Sequence, residues 1–121
     1  MTTPSTIPDL IYKIVSGPVF SASQDGGILL GMPVDLADGY MHFSTAEQLP
    51  VTLSLYFAGQ SGLELAAVRT ADIAENLKWE PSRGGALFPH LYAELPLAQI
   101  AWSTTISVAA DGSCTLPEAV K

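Results

Sequence analysis

The sequence predicts a single α+β domain, built on a twisted, mainly antiparallel and split sheet with one main helix and several short ones. Its 121 residues, 48% of them hydrophobic, are enough for one well-buried core. Five or six short runs of β-forming residues are separated by Gly, Pro and Asp-Gly turns. Strands and helical segments do not alternate regularly, which argues against a doubly wound parallel fold.

The two ends of the chain differ in composition from its middle. Residues 1–8 are rich in Thr, Ser and Pro, so we expect a flexible leader there. One domain over 9–117 and an untidy tail over 118–121 follow. No internal repeat or interdomain linker interrupts the domain.

Charge and composition exclude several classes of protein. A net charge of −7, with only five Lys and Arg residues, provides no basic surface for a nucleic acid. No apolar run approaches the roughly 20 residues of a membrane helix, and the first residues lack the features of a signal peptide. The single Cys114 cannot form an internal disulfide. We therefore expect a cytoplasmic protein without a membrane partner, as a monomer or weak dimer.

The first third of the chain predicts one strand and one short helix. Residues 10–15 (LIYKIV) are β-formers that end at a Ser-Gly-Pro sequence, which indicates the first strand. Residues 19–24 favour a brief helix with Pro18 in its first turn, stopped by Asp-Gly-Gly. An apolar patch over 28–32 ends at a proline.

Residues 40–44 predict a second strand, which follows an Asp-Gly turn. Because side chains alternate across a strand, Tyr40, His42 and Ser44 share one face, while Met41 and Phe43 share the other. We expect the apolar pair to face the core. A Tyr, a His and a Ser then lie in line on the opposite surface.

The main helix is predicted to begin directly after this strand. Ser44 or Thr45 can cap it, and Glu47 or Gln48 completes a capping box. Pro50 kinks or restarts the helix. Because free N–H groups and the dipole at a helix start favour anions, the surroundings of Thr45 are a candidate anion site. A buried stripe is predicted at Leu49, Leu53, Tyr56 and Phe57.

The second half predicts two more strands and a connection. Residues 63–69 and 100–108 have the composition and alternation of strands. Residues 71–77 are expected to form a short helical or looped connection that leads from the first of these strands into Trp79. Trp79 and Trp102 are both expected in the core.

The stretch WEPSRGGALFPHLY at 79–92 contains the strongest ligand-binding signal. Arg83 has a planar fork that can hold two phosphate oxygens. Gly84 and Gly85 beside it lack side chains, so a ligand can approach the backbone closely. This turn is therefore a candidate phosphate site.

Residues 87–92 predict a strand on which Phe88, His90 and Tyr92 share one face. Pro89 cannot donate to a ladder, so we expect this strand at an edge or beside a bulge. The sequence therefore predicts two polar strand faces, one on this strand and one on the strand of Tyr40, and each carries a His and a Tyr.

These stretches resemble DUF952, a bacterial family of unknown function. The matching features are IYKI at 11–14, DxxDGYMHFSTAEQ at 35–48, WEPSRGGxLFPHLY at 79–92 and LPL at 95–97. Phe20 departs from the family, whose members often carry a Trp after the first strand. More distantly, the chain is similar to the ADP-ribosyltransferase-like superfamily, whose members bind NAD in a cleft of a split antiparallel sheet.

The superfamily resemblance implies NAD as the ligand and transfer or hydrolysis of its ADP-ribose part. By that resemblance His42 and Ser44 contact the nicotinamide-side ribose or amide, and Tyr40 or Tyr92 stacks on the nicotinamide ring. Glu80 and Glu94 are the candidates for the acidic residue, so the candidate catalytic residues are His42, Glu80 and Glu94. The candidate ligand-binding residues are Tyr40, Ser44, Thr45, Gln48, Arg83, Gly84, Gly85, Phe88, His90 and Tyr92.

Other interpretations remain open. The same cleft would serve a non-catalytic module that binds a small anionic metabolite or a peptide, and an edge strand near Pro89 would serve a dimer. The two histidines have no close-spaced partner such as HxH, so no metal site is predicted. No GxSxG elbow accompanies Ser44. Structural alternatives are a backbone-bonded His42, Ser44 as a cap, and Arg83 paired with Glu80.

Overall fold

Strands dominate the computed structural model of the protein, which describes residues 6–120 and, within them, every side chain except that of Arg83. Within this part the strands are β1 (Leu10–Ser16), β2 (Ile28–Leu29), β3 (Met41–His42), β4 (Leu63–Arg69), β5 (Leu77–Pro81), β6 (Leu87–Leu91), β7 (Leu95–Pro96) and β8 (Ile100–Ile106). The α-helices are α1 (Gly17–Gly26), α2 (Pro33–Asp38) and α3 (Leu49–Tyr56). Shorter 3-10 segments span Thr70–Asn76, Arg83–Gly85 and Leu97–Gln99.

The strands form two three-stranded antiparallel sheets, in the orders β1-β4-β8 and β3-β6-β5, and β2 pairs with β7. A single backbone bridge joins β1 to the segment after β3. The Tyr12 N–H donates to the Ser44 carbonyl at 2.8 Å, and the Ser44 N–H donates back to Tyr12 at 2.9 Å. The prediction of a mixed α+β domain with antiparallel sheets and few helices is confirmed.

The core consists of two clusters on opposite faces of β1. Ile11 and Val15 point into one cluster, together with Trp79 of β5. Tyr12 and Ile14 point into the other, which contains Leu49, Leu53, Leu65 and Ile106. Because both faces of β1 are covered, its central residues form a continuous buried run rather than an alternating pattern.

Most predicted elements are present with shifted ends. The strand at 63–69 has the predicted bounds, the strand predicted over 100–108 ends at Ile106, and the connection at 71–77 is a 3-10 segment. Trp79 is buried as predicted, whereas Trp102 is only partly buried against Tyr12. Of the predicted leader, residues 1–5 lie outside the described part, and the Pro8 carbonyl accepts a bond from Thr70.

Helix α2 was not predicted, although its sequence carries ordinary boundary signals. Pro33 occupies the first turn, where its missing N–H has no intrahelical partner to lose. Asp35 accepts the backbone N–H of Met32 at 2.6 Å and so caps the start. Gly39 ends the helix with φ 85°, a conformation that glycine adopts without strain.

Two features of α3 differ from the prediction. The helix begins at Leu49 rather than at Ser44 or Thr45, because a separate turn over 46–48 precedes it. Tyr56 is 61% exposed, while Leu49 and Leu53 are fully buried. The buried stripe follows the i, i+4, i+8 series to Phe57, which leaves Tyr56 to one side of it.

The prediction of an edge position for Pro89 is wrong, since β6 lies between β3 and β5. The Pro89 carbonyl accepts the Phe43 N–H at 3.0 Å, but proline has no N–H to return to Phe43. The ladder between β3 and β6 accordingly ends at the His42–His90 pair. A strand that is paired on both sides in this way does not offer the edge that the dimer alternative required.

Candidate functional site

The register of β3 against β6 places the two histidines opposite each other. His42 pairs with His90, and their ring centroids lie 5.3 Å apart. Met41 and Leu91, the neighbouring pair, point into the core instead. The two polar faces predicted from separate stretches of sequence are therefore one surface.

Tyr40 packs against three rings of this surface. Its centroid lies 4.6 Å from that of His42, 4.4 Å from His90 and 5.0 Å from Tyr92. Such separations fall in the range of favourable aromatic contacts. Tyr40 is thus already stacked within the protein, which argues against its predicted role as a platform for a ligand ring.

Glu80 of β5 contacts two residues of this surface, His90 and Tyr92. Its Oε1 accepts a hydrogen bond from the Tyr92 hydroxyl at 2.7 Å and lies 2.8 Å from Nδ1 of His90. The bonds from Tyr92 and His90 lower the pKa of the Glu80 carboxyl. The hydrogen bond from the Tyr92 hydroxyl to Glu80 raises the pKa of the Tyr92 phenol to about 12.

The contact with Glu80 fixes the tautomer of His90. An ionised carboxylate only accepts, so Nδ1 carries the proton and Nε2 of the neutral ring carries the lone pair. The side chain of His90 is nearly buried, and burial lowers its pKa even though the bond to Glu80 acts in the opposite direction. His90 is therefore an oriented, neutral imidazole.

His42 lies between two carboxylates. Its Nδ1 is 2.8 Å from Oδ1 of Asp35, and its Nε2 is 2.9 Å from Oδ2 of Asp38. Because a carboxylate cannot donate, both contacts are hydrogen bonds only when the ring carries both protons.

Asp35 connects three elements through one side chain. It accepts two bonds from Nζ of Lys13, at 2.9 and 2.7 Å, and one from the backbone N–H of His42 at 2.9 Å. Burial alone would raise the pKa of the Asp35 carboxyl, but the charge and hydrogen bonds of Lys13, with those of His42, lower it overall. Burial lowers the pKa of the Lys13 ammonium.

Sequence reasoning missed Lys13, Asp35 and Asp38. A lysine inside the apolar run LIYKIV was the available signal, because a buried ammonium requires an acidic partner. Both aspartates stand in the DxxDGYMH motif, where only the following Tyr and His were singled out.

A cavity of about 520 Å³ opens beside the histidine pair, between β1, β3, α2 and α3. Cavities of this size accommodate small-molecule ligands. The polar part of its lining includes Lys13, Asp38, His42, Ser44 and His90. The apolar part includes Met32, Val34, Tyr56, Phe57 and Phe88.

The predicted site residues do not all reach this cavity. His42, Ser44, Phe88 and His90 line it. A second, shallower hollow of about 490 Å³ is lined by Tyr40, Tyr92 and Glu94. Glu94 is thereby separated from the histidine pair's cavity, which leaves Glu80 as the predicted acid that contacts a histidine.

Ser44, Thr45 and Gln48 have structural partners. Ser44 is buried, with its hydroxyl 3.2 Å from that of Thr52, rather than exposed beside His42 as predicted. The Thr45 N–H donates to the Gln48 side chain and the Gln48 N–H to the Thr45 hydroxyl, as in the predicted capping box. These mutual bonds occupy the N–H groups of Thr45 and Gln48, which are therefore not available to the predicted anion site.

The glycine turn joins β5 to β6. Gly84 and Gly85 have φ values of 69° and 80°, which fits the predicted need for glycine there. The side chain of Arg83 lies outside the described part, so its predicted contacts with a phosphate or with Glu80 stay predictions.

The described residues contain neither a metal-binding cluster nor a membrane-spanning helix. Within residues 6–120 no group of three or more His, Cys, Asp or Glu side chains is arranged to hold a metal ion. No helix in the same range combines the length and apolar character needed to cross a membrane.

Fold and site together define a small α+β domain in which a histidine pair borders a largely apolar cavity. Residues 14–103 match the model of a family described as protein of unknown function (DUF952). The chain belongs to the DUF952 family, as its motifs indicate.

Solved structures of one protein, CC0527 from Caulobacter crescentus, are similar to this chain. Its crystal structure shares 44% identity and has a TM-score of 0.83, covering 88% of this chain and 94% of that one. A double mutant of it shares 43% identity with a TM-score of 0.83 over the same proportions. The solution NMR structure shares 43% identity with a TM-score of 0.77, over 88% and 91%. No curated protein matches the chain.

Proposed function

We propose that the protein binds a nucleotide such as NAD in the cavity beside the histidine pair and hydrolyses or transfers its ADP-ribose part. The observation that carries this proposal is the Glu80–His90 contact at 2.8 Å, with His90 in the cavity lining. A carboxylate that orients a neutral imidazole is the usual arrangement of a general base. The antiparallel sheets, joined at one bridge, support the resemblance to the ADP-ribosyltransferase-like fold.

The reaction breaks the N-glycosidic bond between C1′ of the ribose and nicotinamide. The electron pair of that bond leaves with nicotinamide, and a water or another acceptor adds to C1′. The acceptor's proton passes to Nε2 of His90. Positive charge develops on the ribose during cleavage, and the Asp38 and Glu80 carboxylates would stabilise it electrostatically.

The described lining fits the nicotinamide-ribose half of NAD better than the pyrophosphate. Met32, Val34 and Phe88 provide apolar surface for a flat ring. Lys13, the lysine in the lining, is already bound by Asp35, so it is not available to a phosphate. Arg83 is the residue we propose for that role, as its sequence context predicts.

Calorimetry with NAD and ADP-ribose, combined with chromatography for released nicotinamide, tests the proposal. Wild type should bind NAD and release nicotinamide, and Glu80→Gln should bind it with slower release. Glu75→Gln, which changes an exposed carboxylate in the 3-10 segment before β5, is the matched control and should behave as wild type. Binding without release would support the non-catalytic module instead, and absence of binding to both NAD and ADP-ribose would contradict the proposal.

A further inference from the structure

We infer that His42 is a positioning residue, held as an imidazolium between Asp35 and Asp38, whose charge keeps His90 across the strand pair unprotonated. The inference deepens the proposed function, in which His90 is the base of the same site. It also reverses the role predicted for His42 from the sequence, because a ring with both nitrogens bound has no free donor or lone pair for a ligand.

The geometry around His42 leaves its ring little freedom to turn. The backbone N–H and Nδ1 both bond Oδ1 of Asp35, at 2.9 and 2.8 Å, and Nε2 lies 2.9 Å from Asp38. Lys13 holds both oxygens of Asp35 and also donates to the His42 carbonyl at 3.0 Å. The side chains of Lys13 and Asp35 are each only 3% exposed, so this side of the arrangement is protected from water, whereas the side chains of His42 and Asp38 are 27% and 44% exposed.

The imidazolium acts on His90 through space. The two ring centroids are 5.3 Å apart, with His90 buried, so Coulomb interaction between them is only weakly screened. Burial lowers the pKa of His90 most, the bond from Glu80 opposes it, and the charge of His42 lowers it further. The charged and titratable groups around His90 are Glu80 and Lys78 on β5, His42 on β3, Asp38 at the end of α2, and the phenols of Tyr40 and Tyr92.

The two histidines therefore have different protonation states and different roles. One stays protonated and supplies a fixed charge, while the other stays neutral and supplies a lone pair. Glu80 sets which nitrogen of His90 carries that lone pair, and the charge of His42 adds to the effect of burial in keeping that nitrogen unprotonated at neutral pH.

Nitrogen NMR of the imidazole rings in the full chain, without any ligand, tests the inference. In the wild type at pH 7.5, both ring nitrogens of His42 should appear as protonated N–H, because each faces a carboxylate oxygen. At the same pH, His90 should show a protonated Nδ1 and a bare Nε2. A singly protonated His42 ring would overturn the inference.

Two variants complete the test. Asp38→Asn should leave Nε2 of His42 bare at pH 7.5, since the amide can donate to it. His42→Gln should raise the titration midpoint of His90 by about half to two pH units, from the Coulomb energy of a unit charge at this separation. Asp111→Asn, at an exposed turn, should change neither.

An unchanged His90 midpoint in His42→Gln would contradict the inference. Should that variant fail to fold, the wild-type spectra and Asp38→Asn decide it. A protein that passes these tests but releases no nicotinamide from NAD would overturn only the proposed function.

Discussion

Oε1 of Glu80 lies within hydrogen-bond distance of both Nδ1 of His90, at 2.8 Å, and the hydroxyl of Tyr92, at 2.7 Å. One carboxylate oxygen therefore accepts hydrogen bonds from two donors, His90 of the neighbouring strand β6 and Tyr92 just beyond the end of that strand. The register that pairs Glu80 with Phe88 puts these side chains on the same face of the sheet. This contact orients His90 beside the cavity, and several measurable properties depend on it.

Replacement of Glu80 by Gln should slow catalysis more than binding. The amide keeps the shape of the side chain but removes the charge that stabilises developing positive charge and orients His90. We expect kcat for nicotinamide release to fall by about 10²-fold, with KM changed less, as for loss of a group acting in the transition state. Steady-state kinetics measure kcat and KM separately. A Glu80→Gln variant with an unchanged kcat and a raised KM would contradict the prediction.

Tyr92 should titrate unusually late. Its pKa is raised to about 12 because its hydroxyl donates to the ionised Glu80. In Glu80→Gln the phenol should return toward its ordinary value of about 10. Carbon NMR of the Tyr92 ring across alkaline pH follows this change, and a wild-type midpoint near 10 would show that the hydrogen bond is absent in solution.

The stability that His90 contributes should fall between pH 7.5 and pH 5.5. Burial lowers the pKa of His90, so at this residue the unfolded chain binds more protons than the folded one as pH drops through about 6.5. The contribution of His90 to the free energy of unfolding decreases in that window for this reason. Urea unfolding at the two pH values measures the loss.

The matched variant for this prediction is His90→Gln, which has no imidazole at this position. From pH 7.5 to pH 5.5 the wild type should lose stability relative to this variant. An identical slope in the two proteins would mean that His90 is not the group responsible.

The effects of replacing Lys13 and Asp35 on the free energy of unfolding should be strongly non-additive. Asp35→Asn leaves a buried ammonium without its counter-charge, which costs about 3–5 kcal/mol when a buried pair is broken. Lys13→Met combined with Asp35→Asn removes both charges while the amide oxygen still accepts backbone bonds. The double variant should therefore be more stable than Asp35→Asn alone in urea unfolding. Simple addition of the two single costs would argue against a buried ion pair.

The sequence predicted the faces of individual strands better than their pairing. Alternation placed Tyr40 with His42, and His90 with Tyr92, but the contact between the two sets depends on a register that period-2 patterns do not specify. The same limit explains Pro89. Its missing N–H faces the point at which β3 stops pairing, so a proline is tolerated in the middle strand.

Contacts between charged residues far apart in the sequence also could not be predicted. Lys13 and Asp35 are 22 residues apart and lie on a strand and a helix, so no local pattern joins them. Glu94, proposed as a candidate acid because of its position at a strand end, lies in the shallower hollow rather than in the lining of the larger cavity, and its catalytic role stays a prediction. Glu80, the other candidate acid, lies on the strand next to His90 and contacts it.

The most direct measurement of the central claim is the rate of nicotinamide release from NAD by wild type and by His90→Gln at pH 7.5, with folding of both checked by circular dichroism. A folded wild type that releases nicotinamide, and a folded His90→Gln variant at least about 10²-fold slower, is the predicted result. Equal rates for the two proteins, or no release by a folded wild type, would contradict the assignment of His90 as the base of an NAD-cleaving site.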